Sequence, residues 1–156
     1  MAKDFKEWHE LKSVLEKDGR RVFFHEREVW FSSLGFNLGY EQDGKGAKFL
    51  RPVIVLKKFN QDIFWGIPMT GTIKPYPYYY ELSVNGNKVS AVVSQLRLID
   101  RKRLFRKVGM ISEEDFERIK QRVIDLLGSN KQIPSQGGDL QLPCQPPEAE
   151  AIVPPL

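Results

Sequence analysis

The chain has one cysteine and two histidines among its 156 residues. A single cysteine cannot form an internal disulfide, and Cys144 has no metal-ligand neighbours. His9 and His25 have no acidic or cysteine partner at ligand spacing, so a metal site is not expected. The sequence also contains no motif for a Cys/His or Ser/His catalytic pair. This residue usage is typical of a protein from a reducing compartment.

Long apolar runs are also missing. No stretch approaches the ~20 apolar residues that span a bilayer, and residues 1–10 are rich in charge where a signal peptide is apolar. Neither a P-loop nor a dinucleotide-binding fingerprint is present. We therefore expect a cytoplasmic protein without a membrane partner, and we expect no cofactor.

Charged side chains make up 28% of the chain, and its formal net charge is +4. This balance permits a polyanionic partner without requiring one, because many basic proteins bind no nucleic acid. Composition divides the chain into three parts. We predict an N-terminal helical extension over 1–20, a folded body over 21–128 and a disordered Pro/Gln-rich tail over 129–156.

Two amphipathic helices are predicted. In residues 3–18, apolar side chains recur at spacings of three and four, which indicates one apolar face. Near the end of the body, Ser112 and Asp115 have the spacing of a helix N-cap and its capping acid, and an apolar stripe continues to Gly128. The two faces consist of Phe5, Trp8, Leu11 and Leu15 in the first helix, and of Phe116, Ile119, Val123 and Leu126 in the second.

The body has the pattern of a small β-barrel or coiled sheet, with five or six short strand-like runs separated by close turns. Residues 53–56 are continuously apolar, as in a strand buried on both faces. Asn85-Gly86-Asn87 is a strong hairpin signal, because Asn and Gly tolerate positive φ. The predicted runs are 23–24, 29–31, 53–56, 63–67, 78–84 and 89–93.

Three turns have a functional interpretation beside a purely structural one. The glycine-rich segment 35–46 could bring main-chain N–H groups to a phosphate, or it could be a flexible surface loop. Arg51 precedes the most buried strand and could present its guanidinium outside the core, or form a salt bridge at a strand edge. Thr70 could place its hydroxyl at a phosphate, or serve only as a turn residue.

A fourth segment, 95–104, opens a basic run that extends to Lys107. Such a run is usually a solvated face. Close to the tyrosines at 76 and 78–80, it could instead follow a nucleic-acid backbone, with the rings as stacking platforms for bases.

In this order, the segments resemble the MazF/PemK family of toxin ribonucleases. The resemblance extends over residues 26–128, and it depends on five motifs that keep the family's order and approximate spacing. They are Glu28-Val29-Trp30-Phe31, Gly39-Tyr40-Glu41-Gln42 with Gly44, Arg51-Pro52-Val53-Ile54-Val55-Leu56, Pro68-Met69-Thr70, and the segment from Ser94 to Leu104.

The resemblance implies a mainly β fold, an SH3-like β-barrel with a C-terminal helix, to which this chain adds the N-terminal helix. It also implies a homodimeric toxin of a type II toxin–antitoxin system, inhibited by a cognate antitoxin. Such a toxin cleaves single-stranded mRNA without a metal, with a sequence preference and through a 2′,3′-cyclic phosphate.

Site residues follow from the resemblance by position. Arg51 and Thr70 match the residues assigned to catalysis in the family, and Glu41 matches an acidic position in its active-site loop. Gln95 and Arg97 match positions near the substrate groove. The predicted RNA-binding set is Gln42, Lys45, Lys74, Gln95 and Arg97.

The sequence departs from the family in three places. Residues 43–50 make the loop before Arg51 longer than in typical members. Ser94 stands where one branch has an acidic residue, and that branch's early histidine is missing. The N-terminal helix and the tail have no counterpart. These departures affect the RNA sequence preference and the identity of the general base more than the fold.

Other functions are compatible with the same fold, because fold does not determine function. Related barrels poison DNA gyrase, and others only bind partner proteins. A further alternative is an inactive relative that kept the dimer and the antitoxin interface. The presence of both Arg51 and Thr70 favours the ribonuclease, since a docking module has no need for the pair.

Overall fold

The computed structural model describes residues 2–128, so the predicted disordered tail and Cys144 lie outside the described residues. The first element is helix α1, Phe5–Glu16, within the predicted range 3–18. The Asp4 carboxylate caps this helix by accepting hydrogen bonds from the main-chain N–H groups of Lys6 and Glu7, at 3.0 and 3.3 Å. On the predicted apolar face Trp8 is buried, Leu11 and Leu15 are half-buried, and Phe5 is exposed at the edge.

Within the described residues, seven antiparallel strands follow: β1 (Glu28–Ser33), β2 (Leu50–Lys58), β3 (Ile63–Thr70), β4 (Tyr79–Val84), β5 (Asn87–Val92), β6 (Arg97–Asp100) and β7 (Leu104–Met110). Neighbours are hydrogen-bonded in the order β4-β5-β3-β2-β1-β7, and β6 pairs with β3 outside this path. Residues 63–66 of β3 pair with β6, whereas 69–70 pair with β5. The sheet curves into a half-barrel, which confirms the predicted mainly β architecture.

The core lies on both faces of β2. Ile54 and Leu56 belong to a cluster that includes Phe116 and Ile119 of the C-terminal helix. Val53 and Val55 belong to a second cluster on the opposite face. Successive side chains of a strand point to opposite faces, so the continuous apolar run is required by burial on both sides, as predicted.

The hairpin between β4 and β5 turns at Asn85 and Gly86, which both have positive φ, +50° and +79°. This confirms the turn predicted from the Asn-Gly pair. The Asn85 side chain also donates a 2.9 Å hydrogen bond to the carbonyl of Val108, which connects the hairpin to β7.

Helix α2 spans Glu113–Gly128. The Ser112 hydroxyl accepts a 3.0 Å hydrogen bond from the main-chain N–H of Asp115 and donates to its carboxylate at 2.8 Å, so the predicted N-cap is confirmed. Phe116 and Ile119 are buried against the sheet. Across residues 2–128, neither helix combines the length and apolar character needed to cross a bilayer.

One local prediction was wrong and two strands were not predicted. Residues 23–24 are not a strand, although Phe24 is fully buried and Phe23 is 71% exposed. An apolar run of two residues was therefore too short to specify a strand. Strands β6 and β7 were missed because only Ile99 and Leu104 within the basic run are buried, while its charged side chains are half-buried or exposed.

Packing of α2 can be tested with two isoleucines of the same helix. Ile119 is 0% exposed and Ile124 is 59% exposed. We expect Ile119→Ala to lower the free energy of unfolding by about 2–5 kcal/mol, because it leaves a cavity in the core. Ile124→Ala should change it by less than about 0.5–1 kcal/mol. Urea denaturation followed by circular dichroism measures both, and equal losses would contradict this packing.

Candidate active site

Arg51 and Thr70 lie on adjacent strands. Arg51 is near the start of β2 and pairs with Ser32 of β1, and Thr70 is the last residue of β3. The β2–β3 register pairs Val53 with Pro68, and extending it by two residues places Arg51 opposite Thr70. Two hydrogen-bonded strands therefore fix the relative position of the two predicted catalytic residues, both of which are half-buried.

A cavity of about 400 Å³ is lined by both residues. Phe31 of β1 forms another part of its wall, and Lys45 and Gly46 contribute from the preceding loop. The site thus combines two cationic side chains with one hydroxyl, a combination suited to an anion. Within residues 2–128, no group of three or more His, Cys, Asp or Glu side chains could hold a metal ion.

Main-chain carbonyls orient the Arg51 guanidinium. Its Nε donates to the carbonyl oxygen of Asp43, and its Nη1 donates to that of Met69 at 3.0 Å. A guanidinium has five N–H donors, so most of them remain for a ligand. Among the ion pairs between residues of the described part, none includes Arg51.

Partial burial lowers the pKa of Arg51 below its ordinary value, while Asp43 and Tyr79 act to raise it. An arginine side chain nevertheless stays cationic at neutral pH. Its charge is therefore partly removed from water and is not neutralised by a contacting carboxylate. This increases its attraction for a phosphate, because charges interact more strongly where the effective dielectric constant is lower.

Thr70 is oriented by the turn that follows it. Its Oγ1 accepts a hydrogen bond from the main-chain N–H of Thr72 at 3.3 Å, a local contact typical of Ser and Thr in turns. The hydroxyl hydrogen is not used in this bond. Thr70 can therefore donate to an anion held by Arg51.

Residues 34–49 form a hydrogen-bonded loop, which we call the 34–49 loop. The N–H of Gly44 donates to the carbonyl of Gly35 at 2.8 Å, and the side-chain amide of Asn37 donates to the carbonyl of Gln42 at 2.8 Å. A Cβ on Gly44 would lie 1.6 Å from the carbonyl oxygen of Phe49, so this position requires glycine. The loop is thus closed by its own contacts, and its Asp43 carbonyl reaches Arg51.

Within the segment 43–50, which the sequence analysis expects to be longer than in typical members, residues 45–50 form a tight turn. Lys45 and Leu50 exchange two main-chain hydrogen bonds, at 2.8 and 2.9 Å. Gly46 and Phe49, between them, have positive φ values of +71° and +49°. The added length is therefore a compact hairpin at the rim of the Arg51 cavity.

Gln95 anchors the loop from the opposite side. Its Oε1 accepts a 2.7 Å hydrogen bond from the N–H of Gln42, and its Nε2 donates to the carbonyl of Tyr40 at 2.8 Å. The oxygen and the nitrogen of the Gln95 amide are therefore both hydrogen-bonded to the main chain of the 34–49 loop. In this structure Gln95 holds the loop, which is a different role from the RNA contact predicted for it.

Glu41 lies at a second cavity of about 500 Å³. Its side chain is exposed, and its carboxylate accepts a 3.0 Å hydrogen bond from the N–H of Leu38. The 34–49 loop borders both cavities. Of the predicted site residues, Arg51, Thr70 and Lys45 line the first cavity, and Glu41, Gln95 and Arg97 line the second.

Lys74 lies beside a group of tyrosines. Its ammonium is 5.7 Å from the centre of the Tyr79 ring. The rings of Tyr76 and Tyr78 are stacked with centroids 5.2 Å apart and an interplanar angle of 5°. These rings are half-buried, which is compatible with both interpretations from the sequence, a packing cluster and a platform for bases.

Two residues that sequence reasoning missed contact this site. Asp43 supplies the carbonyl for Arg51, and its carboxylate forms a 2.7 Å ion pair with Lys3. The position of Asp43, between Gln42 and Gly44 of a family motif, was a signal that pointed to it. No local pattern could have indicated Lys3, because the contact depends on where α1 packs.

Residues 27–127 match the model of the family described as "PemK-like, MazF-like toxin of type II toxin-antitoxin system". The match includes more than half of the chain, and the chain belongs to this family. This confirms the resemblance found in the sequence, and with it the class, a toxin of type II toxin–antitoxin systems whose members are generally endoribonucleases. Helix α1 lies outside the matched residues.

Solved structures share the fold. MazF from Deinococcus radiodurans is 18% identical with a TM-score of 0.56, covering 69% of this chain and 99% of that chain. A MazE-MazF structure from the same organism is 20% identical with a TM-score of 0.56, covering 69% of this chain and 97% of that chain. An endoribonuclease in complex with its cognate antitoxin from a mycobacterial species is 11% identical with a TM-score of 0.53, covering 66% of this chain and 93% of that chain. No curated protein sequence matches the chain.

The anchoring role of Gln95 can be tested without an activity. Gln95→Ala removes both bonds to the loop, and we expect hydrogen exchange of the Gln42 amide to accelerate by roughly tenfold, since one hydrogen bond contributes ~1 kcal/mol. NMR-detected exchange measures this rate. Ser94→Ala, at the exposed neighbouring position, is the control and should leave the rate unchanged. Equal rates in Gln95→Ala and wild type would show that the loop is held by other contacts.

Proposed function

We propose that this chain is a toxin endoribonuclease that cleaves single-stranded mRNA at preferred sequences without a metal ion. The observation that carries the proposal is the environment of the Arg51 side chain. Its guanidinium is half-buried, oriented by two main-chain carbonyls and free of any contacting carboxylate among the described residues. Thr70 places a hydroxyl in the same cavity.

In the proposed reaction, the 2′-oxygen of a ribose attacks the adjacent phosphorus. A P–O2′ bond forms and the P–O5′ bond breaks, which leaves a 2′,3′-cyclic phosphate and a 5′-hydroxyl. The Nη donors of Arg51 bind the non-bridging oxygens in fork geometry, and Thr70 donates one further hydrogen bond. Both interactions strengthen as negative charge develops on these oxygens, so they lower the barrier.

The reaction also requires removal of the 2′ proton and protonation of the 5′ oxygen. We assign the first task to Glu41, which reaches the ribose when the 34–49 loop folds over a strand bound at Arg51, and the second to solvent water in the open cavity. The 34–49 loop borders both cavities, so an RNA strand that crosses it passes from Glu41 and Arg97 to Lys45 and Arg51. The N–H of Leu38 fixes one carboxylate oxygen of Glu41. In this arrangement Lys74 and Gln42 are further RNA contacts.

The biological setting follows from the family. We infer that the toxin acts in the cytoplasm, where mRNA is found, that it works as a homodimer and that a cognate antitoxin inhibits it. The solved structures support an antitoxin partner, because one is a MazE-MazF structure and another holds an endoribonuclease with its cognate antitoxin.

Cleavage can be tested on a long single-stranded RNA in EDTA, with the product ends mapped. Wild type should give discrete cuts with 5′-hydroxyl ends. Arg51→Ala should abolish cleavage, and Arg51→Lys should restore only part of it, because lysine keeps the charge but not the fork. Thr70→Val should reduce kcat by ~10²–10³-fold, the usual effect of losing one donor to a developing oxyanion.

Two substitutions serve as matched controls. Arg118→Ala removes an exposed arginine of α2, and Thr72→Val changes the exposed threonine next to the site. Both should cleave like wild type. If folded wild-type protein cuts no RNA, a binding or gyrase-directed function becomes the better conclusion. If Arg51→Ala cuts as well as wild type, Arg51 is not catalytic.

The role of Glu41 has its own test. Glu41→Gln keeps the size of the side chain and a hydrogen-bond acceptor for Leu38, but it cannot accept a proton. We expect kcat to fall by about 10²-fold or more, since a positioned base contributes ~10²–10⁴-fold. The loss should diminish as the pH is raised toward 9, because hydroxide then replaces the base. A pH–rate profile identical to that of wild type would exclude Glu41 as the base.

A further inference from the structure

Helix α1 packs directly on the 34–49 loop. The Trp8 ring is buried, 5.4 Å from the ring of Phe49. A Cβ on Gly35 would lie 2.0 Å from the Trp8 ring, and Gly35 has a φ of +79°, so glycine is needed both for space and for conformation. The guanidinium of Arg103 lies 5.5 Å from the centre of the Trp8 ring, and its Nη1 donates a hydrogen bond to the carbonyl of Ser33.

The other end of α1 is also attached to the body. The Lys102 ammonium donates to the main-chain carbonyl of Glu16 at 2.9 Å and forms a 3.2 Å ion pair with its carboxylate. This places a cation at the C-terminal end of the helix, where the helix dipole is negative. Both ends of α1 thus contact the body, and these contacts fix the position of its N-terminal end relative to the 34–49 loop.

Lys3, just before α1, occupies the carboxylate of Asp43. Its ammonium is 2.7 Å from Oδ2 of Asp43 and 2.6 Å from the carbonyl oxygen of Asn37. The other carboxylate oxygen, Oδ1, accepts a 2.6 Å hydrogen bond from the N–H of Asn37. Both partners are half-buried, with side chains 29% and 26% exposed. Both oxygens of Asp43 are therefore used away from Arg51.

We propose that Lys3 is a positioning residue for the ribonuclease reaction: it holds the Asp43 carboxylate in a separate ion pair, so that this carboxylate does not occupy the donors of the Arg51 guanidinium. This inference rests on the proposed function of Arg51. Asp43 is the acidic residue whose main chain touches Arg51. Without Lys3, its carboxylate has one oxygen to spare, and the guanidinium next to it has free donors. An Arg51–Asp43 ion pair would then compete with the scissile phosphate for the same donors.

The ion pair joins a residue outside the family match to one inside it. Lys3 and α1 lie outside residues 27–127, which carry the family match. A longer loop places Asp43 beside the catalytic arginine, and the added helix supplies the cation that occupies it. Two of the three departures from the family pattern are therefore connected by one ion pair.

The test compares Lys3→Met, Lys3→Arg and the double variant Lys3→Met/Asp43→Asn, with Lys6→Met as an exposed lysine control on α1. Single-turnover and steady-state cleavage of RNA in EDTA give kcat and KM. Lys3→Met should lower kcat by ~10- to 100-fold, the effect of a small misplacement at the reacting groups. KM should change by less than about threefold, because the proposed contacts at Lys45, Lys74 and Arg97 hold the rest of the RNA strand. Lys3→Arg should keep most of the activity, and Lys6→Met all of it.

The double variant separates a charge effect from a structural one. Asparagine at 43 keeps an oxygen for the Asn37 N–H but cannot form an ion pair with Arg51. It should restore kcat to within about threefold of wild type. If the double variant stays as slow as Lys3→Met, or if Lys3→Met is as fast as wild type, the proposal is wrong. Urea midpoints of all variants establish that each is folded.

A spectroscopic readout keeps this test independent of cleavage. The Nε–H resonance of Arg51, assigned by its loss in Arg51→Lys, should shift in Lys3→Met and return in the double variant. Titration with inorganic phosphate should move it in wild type at lower concentration than in Lys3→Met. If wild type cuts no RNA but the resonance behaves in this way, the proposed function fails and the effect of Lys3 on Arg51 stands. An unchanged resonance in Lys3→Met would overturn this effect itself.

Discussion

The hydrogen bond from the Arg51 guanidinium to the main-chain carbonyl of Asp43 connects the most buried strand to the loop that borders both cavities. The other loop contacts fix the position of this carbonyl. Gly44 closes the loop behind it, Gln95 holds the main chain on its N-terminal side, and Lys3 occupies the carboxylate of the same residue. Because a neutral carbonyl orients the arginine, its charge remains for a substrate anion.

The scaffold beneath this bond is rigid for a simple reason. The strand that carries Arg51 is covered on both faces, so a one-residue slip would exchange the two core clusters and is strongly disfavoured. Arg51 lies where this buried strand reaches the surface, and Thr70 ends the neighbouring strand. The two side chains proposed to act on one phosphate are thus placed by the core, and no flexible segment has to bring them together.

Features encoded by neighbouring residues could be predicted from the sequence. The Asn85-Gly86 turn, the Ser112 cap and the buried run at 53–56 each follow from local chemistry, and the order of motifs identified Arg51 and Thr70. Features made by distant residues could not. The ion pair of Lys3 with Asp43 depends on the docking of α1, and β6 and β7 were hidden because most of their side chains are charged or exposed. The separation of Glu41 from Arg51 into two cavities likewise depends on the path of the loop.

The hairpin of residues 45–50 shows how such a loop can change in length during evolution. A longer loop has a larger entropy to lose on ordering, but the cost grows slowly with length. Here residues 45–50 are closed by the two bonds between Lys45 and Leu50, so the rest of the loop has no extra freedom. Insertions or deletions within this hairpin can alter the rim of the cavity while Arg51 stays in place. Under the proposed function, the preferred RNA sequence can therefore diverge between relatives while Arg51 and Thr70 keep their arrangement.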